Sequence, residues 1–309
     1  MKYVIGIDGG GTSSTLRILD EQGTELGSGV GGPTNMSAQP VEEVRNTLDN
    51  LIIGSIEHAG LSIGECNALC IGTAGAGRAY QSTILKGIIK DIGIKKNVIV
   101  RNDADIALVA GAGKEEGIIV IAGTGSIAYG STLEGKSYRT GGWGHIVGDE
   151  GSAYYIGARA LTEALRSYDG RRESTLLLPM LMDAINVDDV DHMIKYIYDD
   201  GFLKTKIAKL AKVVDEAYKK GDQTAKEILS DGSYELFLLA DAVVRKLGFN
   251  DITTTLVTSG SVLLKNDFVF KNFKRYVEQN YPKLQIVKLD KDAAYGAAYI
   301  ALQSLHVYS

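Results

Sequence analysis

Two glycine-rich segments, each directly after an apolar β-type run, constrain this chain more than any other feature. The first, DGGGTS at residues 8–13, follows an apolar run at residues 2–7. The second, GTGS at residues 123–126, follows Ile-Ile-Val-Ile-Ala at residues 118–122. Both continue into a second β-type run. Because glycine lets backbone N–H groups approach an anion unobstructed by a Cβ atom, both segments are predicted to be phosphate-facing hairpins.

Each loop also has a simpler interpretation. Asp and Gly are favoured in any hairpin turn, so the first loop could be only a turn. Asp8, at the strand end, is the candidate for holding Mg²⁺ through water. The second loop begins like a dinucleotide fingerprint, but a strand and not a helix follows it, so the Rossmann context is missing. A third block, Ser259-Gly260-Ser261, is predicted to face adenosine or phosphate, or else to be a plain strand-to-helix turn.

One motif is predicted to be misleading. Residues 130–137 read GSTLEGKS, which matches the G-x4-G-K-S phosphate-binding pattern. A true P-loop must open a helix whose N-terminus faces phosphate, whereas YRTGGWG, which follows here, is not a helical sequence. Residues 134–136 are therefore predicted to form a hairpin tip, with no catalytic role for Lys136.

The order of apolar runs predicts an α/β fold. Residues 2–112 read as βββαβαβα, and the pattern of strand, glycine turn and second strand restarts at residue 117. This internal similarity suggests a duplicated domain. Residues 151–248 are mostly helical, two strands follow at 254–258 and 285–289, and a last helix is predicted at 293–305. Strands alternating with helices indicate partly parallel sheets.

Composition excludes several classes of protein. A length of 309 residues suits two domains, and the net charge of −5 disfavours a nucleic-acid surface. The two cysteines, Cys66 and Cys70, make a disulfide framework unlikely and fit a reducing cytoplasm. Cys70 is predicted to be buried in a strand, with Cys66 just before it. No window approaches the roughly 18 consecutive apolar residues of a transmembrane helix.

Two aspartates are candidates for chemistry, but each has a structural alternative. Asp103 follows a strand at residues 98–101 and begins a predicted helix, where it could be a cleft-facing base or an N-cap. Asp105 is its rival as the base. Asp149 could bind a ligand through its carboxylate, or could cap the helix that starts near residue 151. Trp143 could be an apolar wall for a ligand or a core residue.

The loops occur in an order that resembles the N-acetylglucosamine kinases of the BadF/BadG/BcrA/BcrD ATPase family, within the sugar kinase–actin superfamily. The resemblance runs from Ile5 to the last helix. The sequence carries it in DGGGT (8–12), NDA (102–104), GTGS (123–126), GGWG (141–144), GDEGS (148–152) and SGS (259–261). Each block alone is weak, but the ordered set is specific, and GGWG with GDEGS is its most specific part.

The resemblance implies two actin-like, ribonuclease H-like domains with a cleft between them. We expect the first at residues 1–115, joined by the C-terminal helix 292–309, and the second, with a helical insertion, at residues 116–291. It also implies ATP and Mg²⁺ as cofactors, a small amino sugar as substrate, a cytoplasmic homodimer, and no nucleic-acid or membrane partner.

The resemblance also assigns roles to residues. Asp103 is the expected catalytic base and Asp8 the metal ligand. The residues expected to bind ATP or its phosphates are Gly10, Gly11, Thr12, Ser13, Gly123, Thr124 and Gly260. The residues expected to bind the sugar are Asn35, Asp103, Gly125, Ser126, Gly141, Gly142 and Asp149. The alternative for Asn35 is ordinary turn chemistry, and the alternative for Asp149 is helix capping.

The reaction implied by the resemblance is transfer of a phosphoryl group from ATP to N-acetylglucosamine, giving the 6-phosphate. Thr73-Ala74-Gly75 departs from vertebrate-type relatives and is expected to line the N-acetyl or 3-hydroxyl side, where a roomier pocket would admit N-acetylmuramic acid. Alternatives are a kinase for another hexose, a sugar-sensing module, and an activator ATPase of a 2-hydroxyacyl-CoA dehydratase. The last requires cysteines that hold an iron–sulfur cluster, which Cys66 and Cys70 do not suit.

Overall fold

The computed structural model describes residues 2–36, 39–73, 79–198 and 204–306. The chain forms two compact units. The first comprises Met1–Gly117, Ser131–Gly135 and Leu289–Ser309, and the second comprises Ile118–Gly130 and Lys136–Lys288.

The described residues contain ten strands and twelve α-helices. The strands are β1 (Tyr3–Gly9), β2 (Ser14–Asp20), β3 (Glu25–Gly31), β4 (Cys66–Thr73), β5 (Asn97–Arg101), β6 (Gly117–Ala122), β7 (Ser126–Ser131), β8 (Ser137–Gly141), β9 (Thr254–Ser259) and β10 (Leu284–Lys288). The helices are α1 (Val41–His58), α2 (Ala79–Ile92), α3 (Asp103–Ala112), α4 (Ala153–Tyr168), α5 (Leu177–Ala184), α6 (Val190–Tyr198), α7 (Lys204–Lys209), α8 (Ala211–Lys219), α9 (Gln223–Leu247), α10 (Ser261–Lys265), α11 (Asp267–Asn280) and α12 (Ala293–His306). Within the described part of the chain, no helix combines the length and apolarity needed to cross a bilayer.

The two five-stranded sheets have the same strand order. The first sheet runs β3-β2-β1-β4-β5 and the second runs β8-β7-β6-β9-β10, so β6 takes the place of β1. In the first sheet, β1 pairs antiparallel with β2 and parallel with β4, and β5 continues the parallel half. In the second sheet, β6, β9 and β10 are parallel neighbours. This repeated order is the topological counterpart of the internal sequence similarity.

Glycines allow unusually close packing in the first unit. β1 is central and buried, which explains its nearly continuous apolar sequence. A Cβ atom on Gly6 of β1 would lie 2.0 Å from the backbone nitrogen of Ala298, so α12 rests directly on this strand. A Cβ on Gly72 of β4 would lie 2.3 Å from Ile106, which brings α3 equally close. These contacts fix the helix that carries Asp103.

The second unit has a larger helical share. Its core combines strands β6 and β9 with helices α4, α5, α8, α9 and α11, and it includes Phe249, Phe273 and Leu236 among its buried side chains. A Cβ on Gly157 of α4 would lie 2.1 Å from the carbonyl oxygen of Ile207, so α7 packs tightly on α4. This contact sets the position of Lys204, the first residue of α7.

The predicted α/β class and the βββαβαβα order are confirmed, with element ends shifted by one or two residues. Two details were wrong or missed. Cys66 does not precede the fourth strand but begins it, and it is buried. Helix α11 was not predicted, although Val269, Phe273 and Val277 form its buried face at helical spacing.

Candidate active site

Three carboxylates gather at one edge of the first sheet. Asp8 lies at the C-terminal end of β1, and Asp103 directly follows β5; since β1, β4 and β5 are parallel, these ends share an edge. Asp292 immediately precedes α12 and forms an ion pair with Arg17 of β2. Burial, and after it the negative charges of Asp103 and Asp292, together raise the pKa of Asp8 from 3.8 to about 6.

Asp103 does not cap α3. Asn102 is the N-cap, because its Oδ1 accepts the N–H of Ala104 at 3.0 Å. The carboxylate of Asp105 completes a capping box by accepting the N–H of Asn102 at 3.3 Å. Asp103 is therefore not the N-cap, although its Oδ1 also accepts the N–H of Ala104 at 3.0 Å, and Asp105, its rival as the base, completes the capping box. The Asp103 residue is exposed, yet the surrounding protein desolvates its carboxylate enough to raise its pKa.

The first glycine loop is a tight hairpin tethered to a neighbouring segment. Gly10 donates its N–H to the carbonyl of Ser13 at 3.1 Å and accepts the N–H of Thr34 at 3.1 Å. The buried Thr34 hydroxyl also lies 2.8 Å from the hydroxyl of Ser14. Thr12 and Ser13 remain exposed at the tip. The segment that carries Asn35, the residue after Thr34, is thereby held against this loop.

Asp8 is the carboxylate of the first unit that was predicted to hold a hydrated Mg²⁺ ion. Among the residues that the structure describes, no group of three or more His, Cys, Asp or Glu side chains could hold a metal. Mg²⁺ commonly takes one or two carboxylates plus waters and phosphate oxygens. The accumulated negative charge that raises the pKa of Asp8 would be relieved by a cation. Asp8 therefore fits the predicted role.

The second glycine loop is anchored to the start of α4. Ala153 donates its N–H to the carbonyl of Gly123 at 2.8 Å, and Tyr154 donates to the carbonyl of Thr124 at 3.4 Å. Ser152 is the N-cap of α4, since its hydroxyl oxygen accepts the N–H of Tyr155 at 3.2 Å. Thr124 is exposed. The loop is thus fixed by backbone bonds while its threonine side chain stays accessible.

Asp149 is buried beside this loop. Its carboxylate accepts the backbone N–H of Ser126 at 3.2 Å and the ammonium of Lys204 at 2.5 Å. It does not cap α4, so that alternative is wrong. Asp149 has a φ of 63°, a left-handed conformation uncommon outside glycine. The Ser126 hydroxyl is also buried and donates to the carbonyl of Glu150 at 2.6 Å.

The GGWG block forms a left-handed turn next to Ser126. Gly141 and Gly142 both have positive φ, and Gly142 donates its N–H to the carbonyl of Ser126 at 2.9 Å. Trp143 is 64% exposed, with the guanidinium of Arg139 4.4 Å from the centre of its ring. Trp143 is therefore not a core residue. The backbone of the block is held in place and its indole is reachable from solvent.

Gly260 packs against the strand that leads into the second loop. Its φ is 84°, and a Cβ there would lie 2.3 Å from the carbonyl oxygen of Ala122, the residue before Gly123. Next to this turn is a cavity of about 310 Å³. Its lining comes from the start of α4, from α8 and from α10, and includes Ile156, Ala211, Asp215 and Val262. The volume and mixed lining suit a small organic ligand.

Several of these contacts were not found from the sequence. Thr34 and Lys204 contact residues that are distant in the sequence. The cavity is formed by helices whose packing the sequence does not specify. Thr73, at the end of β4, has a buried hydroxyl without a hydrogen-bond partner among the described residues. Ala74 and Gly75, the rest of the segment expected to line the sugar, lie outside the described residues. The hairpin interpretation of residues 130–137 is confirmed, because the turn joins β7 to β8 and no helix follows.

The chain is similar to one known protein family and to several kinases of amino sugars. The BadF/BadG/BcrA/BcrD ATPase family matches residues 5–301. The N-acetylmuramic acid/N-acetylglucosamine kinase of Clostridium acetobutylicum is 44% identical over 301 residues, which cover 97% of this chain and 98% of that protein. The N-acetyl-D-glucosamine kinase of Dictyostelium discoideum is 30% identical over 314 residues, with 97% and 98% covered. A solved structure from Chromobacterium violaceum, proposed to be an N-acetylglucosamine kinase, is 25% identical with a TM-score of 0.74, over 98% and 99% of the two chains.

The fold and these matches define a sugar kinase of the actin-like ATPase fold. The chain belongs to the BadF/BadG/BcrA/BcrD ATPase family. This membership confirms the family, the fold class and the enzyme class that the ordered loops predicted.

Proposed function

We propose that this enzyme transfers the γ-phosphoryl group of ATP to an N-acetylated amino sugar, with N-acetylglucosamine as acceptor and its 6-phosphate as product, and that it also accepts N-acetylmuramic acid. The names of the two relatives that cover almost the whole chain support this choice. A kinase for another hexose is the nearer alternative, because a related protein from Vibrio cholerae, 32% identical over 248 residues, is a glucosamine kinase.

The observation that carries the proposal is Asp103. Its neighbours Asn102 and Asp105 form the capping box of α3, and its own Oδ1 accepts the N–H of Ala104 at 3.0 Å, which holds the carboxylate at the sheet edge. Phosphoryl transfer needs alignment, charge neutralisation and a carboxylate near the attacking hydroxyl. Asp103 would accept the proton of the sugar hydroxyl while that oxygen attacks the γ-phosphorus and ADP leaves. Its raised pKa suits a group that must take up a proton.

Both glycine hairpins are proposed to bind phosphate. Thr12 and Thr124 are exposed at the two loop tips, where their hydroxyls would donate to phosphate oxygens. The cavity beside Gly260 would take the nucleoside, because it lies next to the loop that begins at Gly123 and has a volume suited to a base and ribose. When bound, Mg²⁺ would neutralise phosphate charge, and Asp8 would hold it through water.

The acceptor would be bound by polar groups from both loop regions. Asn35 is held near the first loop by Thr34, and Asp149 lies beside Gly125 of the second. The left-handed backbone at Gly141 and Gly142 would present peptide groups to the sugar. A carboxylate can accept two vicinal hydroxyls.

The activator ATPase alternative is not favoured. Cys66 and Cys70 are free and buried, and burial raises the pKa of the Cys66 thiol to about 12 and that of Cys70 still higher. Cluster ligands must be thiolates. Free thiols also support the proposal that the enzyme works in the reducing cytoplasm. The proposed homodimer rests on the family resemblance alone, and light scattering of the purified protein would test it.

A coupled assay of ADP release tests the proposed reaction. The acceptors are N-acetylglucosamine, N-acetylmuramic acid, N-acetylmannosamine, glucosamine and glucose, with the phosphorylated position read by NMR. We expect the two N-acetylated sugars named in the proposal to be the best acceptors. The highest kcat/KM on glucose or glucosamine would contradict the proposed substrate class, and no turnover with any sugar would contradict the kinase itself.

A matched pair of variants tests the role of Asp103. Asp103→Asn should lower kcat at least about a hundredfold while ATP binding is kept, because only the proton acceptor is lost. Asp267→Asn is the control: Asp267 is the first residue of α11 and follows the N-cap Asn266, as Asp103 follows Asn102. It should leave kcat unchanged. An active Asp103→Asn enzyme would contradict the assignment.

A further inference from the structure

A buried ion pair lies beside the second glycine loop. The Asp149 side chain is 4% exposed, and its Oδ2 accepts a hydrogen bond from the Lys204 ammonium at 2.5 Å. The other oxygen, Oδ1, accepts the N–H of Ser126. A carboxylate offers about four lone-pair positions, so these two bonds leave acceptor capacity for a ligand.

The pair lies directly against the backbone of Gly125. A Cβ atom at Gly125 would lie 2.8 Å and 2.9 Å from the two carboxylate oxygens of Asp149 and 2.9 Å from the Lys204 nitrogen. Any side chain at this position would therefore displace both charges. Gly125 is one of the residues predicted to bind the sugar, so the pair lies where the acceptor is expected.

Packing brings Lys204 to this place. Lys204 begins α7, and Ile207, three residues later, is buried against α4, where Gly157 allows backbone contact. The Lys204 side chain is only 28% exposed. It is thus held by the fold and is unlike a solvated surface lysine, which would contribute little.

The ion pair with Lys204 stabilises the buried carboxylate of Asp149. An ionised carboxylate buried without a cation costs much free energy and tends to take up a proton or turn away. The left-handed backbone of Asp149 adds a strain that its contacts must offset. Lys204 and the Ser126 N–H together stabilise the charged form and fix the direction of both oxygens.

We propose that Lys204 is a positioning residue of the acceptor site, which holds the Asp149 carboxylate in the direction in which its remaining lone pairs accept two sugar hydroxyls. This inference rests on the proposed function. Because Lys204 acts through Asp149, its removal should weaken sugar binding and leave ATP binding and the chemical step largely intact.

Steady-state kinetics of three variants test the proposal. Lys204→Met should raise the KM for N-acetylglucosamine at least about 30-fold, as expected when one partner of a buried charge pair is removed. The kcat and the KM for ATP should change by less than about threefold. Lys204→Arg should recover most of the affinity. Lys209→Met, at an exposed lysine of the same helix, is the matched control and should behave as the wild type.

A double-mutant cycle separates action through Asp149 from an independent effect. Lys204→Met added to Asp149→Asn should raise KM little beyond Asp149→Asn alone, because the partner is already lost. Multiplying effects would overturn the proposal, as would a normal KM in Lys204→Met. If Lys204→Met unfolds, Lys204→Gln replaces it, since glutamine keeps a donor without the charge.

Two acceptors distinguish the remaining outcomes. Lys204→Met should impair N-acetylglucosamine and N-acetylmuramic acid alike. A loss confined to N-acetylmuramic acid, whose lactyl group carries a carboxylate, would overturn positioning and make Lys204 a ligand of that carboxylate. If the wild type phosphorylates sugars and Lys204→Met has an unchanged KM, only this inference is contradicted. If the wild type is inactive on every sugar, the proposed function is contradicted, and this inference with it.

Discussion

Replacing Asp8 with asparagine should make the metal-free protein more stable at pH 8 while abolishing its kinase activity. Asp8 is partly buried near Asp103 and Asp292, and its pKa is raised from 3.8 to about 6. A difference of about two pKa units corresponds to about 3 kcal/mol between the protonated and charged forms. Because the site is partly solvated and shared by three carboxylates, we expect about 1–3 kcal/mol.

The sign follows from proton binding. In the pH range between the two values, the folded protein holds more protons on Asp8 than the unfolded chain, so the free energy of unfolding falls as pH rises. The loss of stability caused by the charged Asp8 side chain is fully present above its pKa in the folded protein, and it vanishes below its pKa in the unfolded chain. Asparagine imitates the neutral form, so the advantage of Asp8→Asn should be near zero at about pH 3.5 and should grow to its full size by about pH 7.

Urea unfolding in the presence of a chelator, repeated from pH 4 to pH 8, measures this difference. Asp49→Asn, at an exposed site on α1, is the matched control and should change the free energy of unfolding by less than about 0.5 kcal/mol at each pH. An Asp8→Asn protein that is less stable than the wild type at pH 8, or a difference independent of pH, would refute the reasoning. Kinase activity should fall at the same time, because the variant loses the proposed metal ligand.

Three further predictions concern the same framework. Because the pKa of Asp103 is raised, acidification should lower kcat at a higher pH than it would if the base were an ordinary aspartate. A kcat–pH profile that is still flat near about pH 4 would contradict this. Lys136→Ala should leave kcat within about threefold, since the residue lies at a hairpin tip; a hundredfold loss would restore the P-loop interpretation. Gly6→Ala should destabilise the protein by at least about 2 kcal/mol in chemical unfolding, because the new Cβ would meet Ala298 at 2.0 Å. Gly54→Ala, in open space on α1, should be neutral or stabilising by about 0.5–1 kcal/mol, and equal effects of the two alanines would show that packing at Gly6 is not the cause.

The residues of each glycine loop and the strands before them could be read from the sequence because these signals are local. Apolar β-branched runs form strands wherever they are buried, and glycine after a strand end predicts a turn whatever surrounds it. The order of the loops also identified the family. The missed helix α11 shows the limit of this reading, since its apolar face at Val269, Phe273 and Val277 is narrow and lies among many polar residues.

The sequence alone could not show which of several neighbouring polar residues caps a helix. Asn102, Asp103 and Asp105 are all good capping residues, and Asp149 and Ser152 both precede α4. Which one caps a helix depends on the residue at which the backbone changes from extended to helical angles, and the fold decides that position: Asn102 and Ser152 cap. Asp103 is the first residue of α3 and not its N-cap, and the Asp149 carboxylate bonds to Ser126 and Lys204 instead of to α4.

The sequence by itself determined most of the strands and helices, the glycine turns and the candidate carboxylates, because each depends on residues within one turn or strand. Only the tertiary structure decided what each carboxylate faces. Asp149 and Lys204 are 55 positions apart, and they meet because Gly157 lets α7 reach α4. Asp8 and Asp292 lie at opposite ends of the chain, and they share a charged edge because α12 packs onto β1. Coulombic interactions and burial depend on distance in space, and distance in space is set by packing across the whole unit.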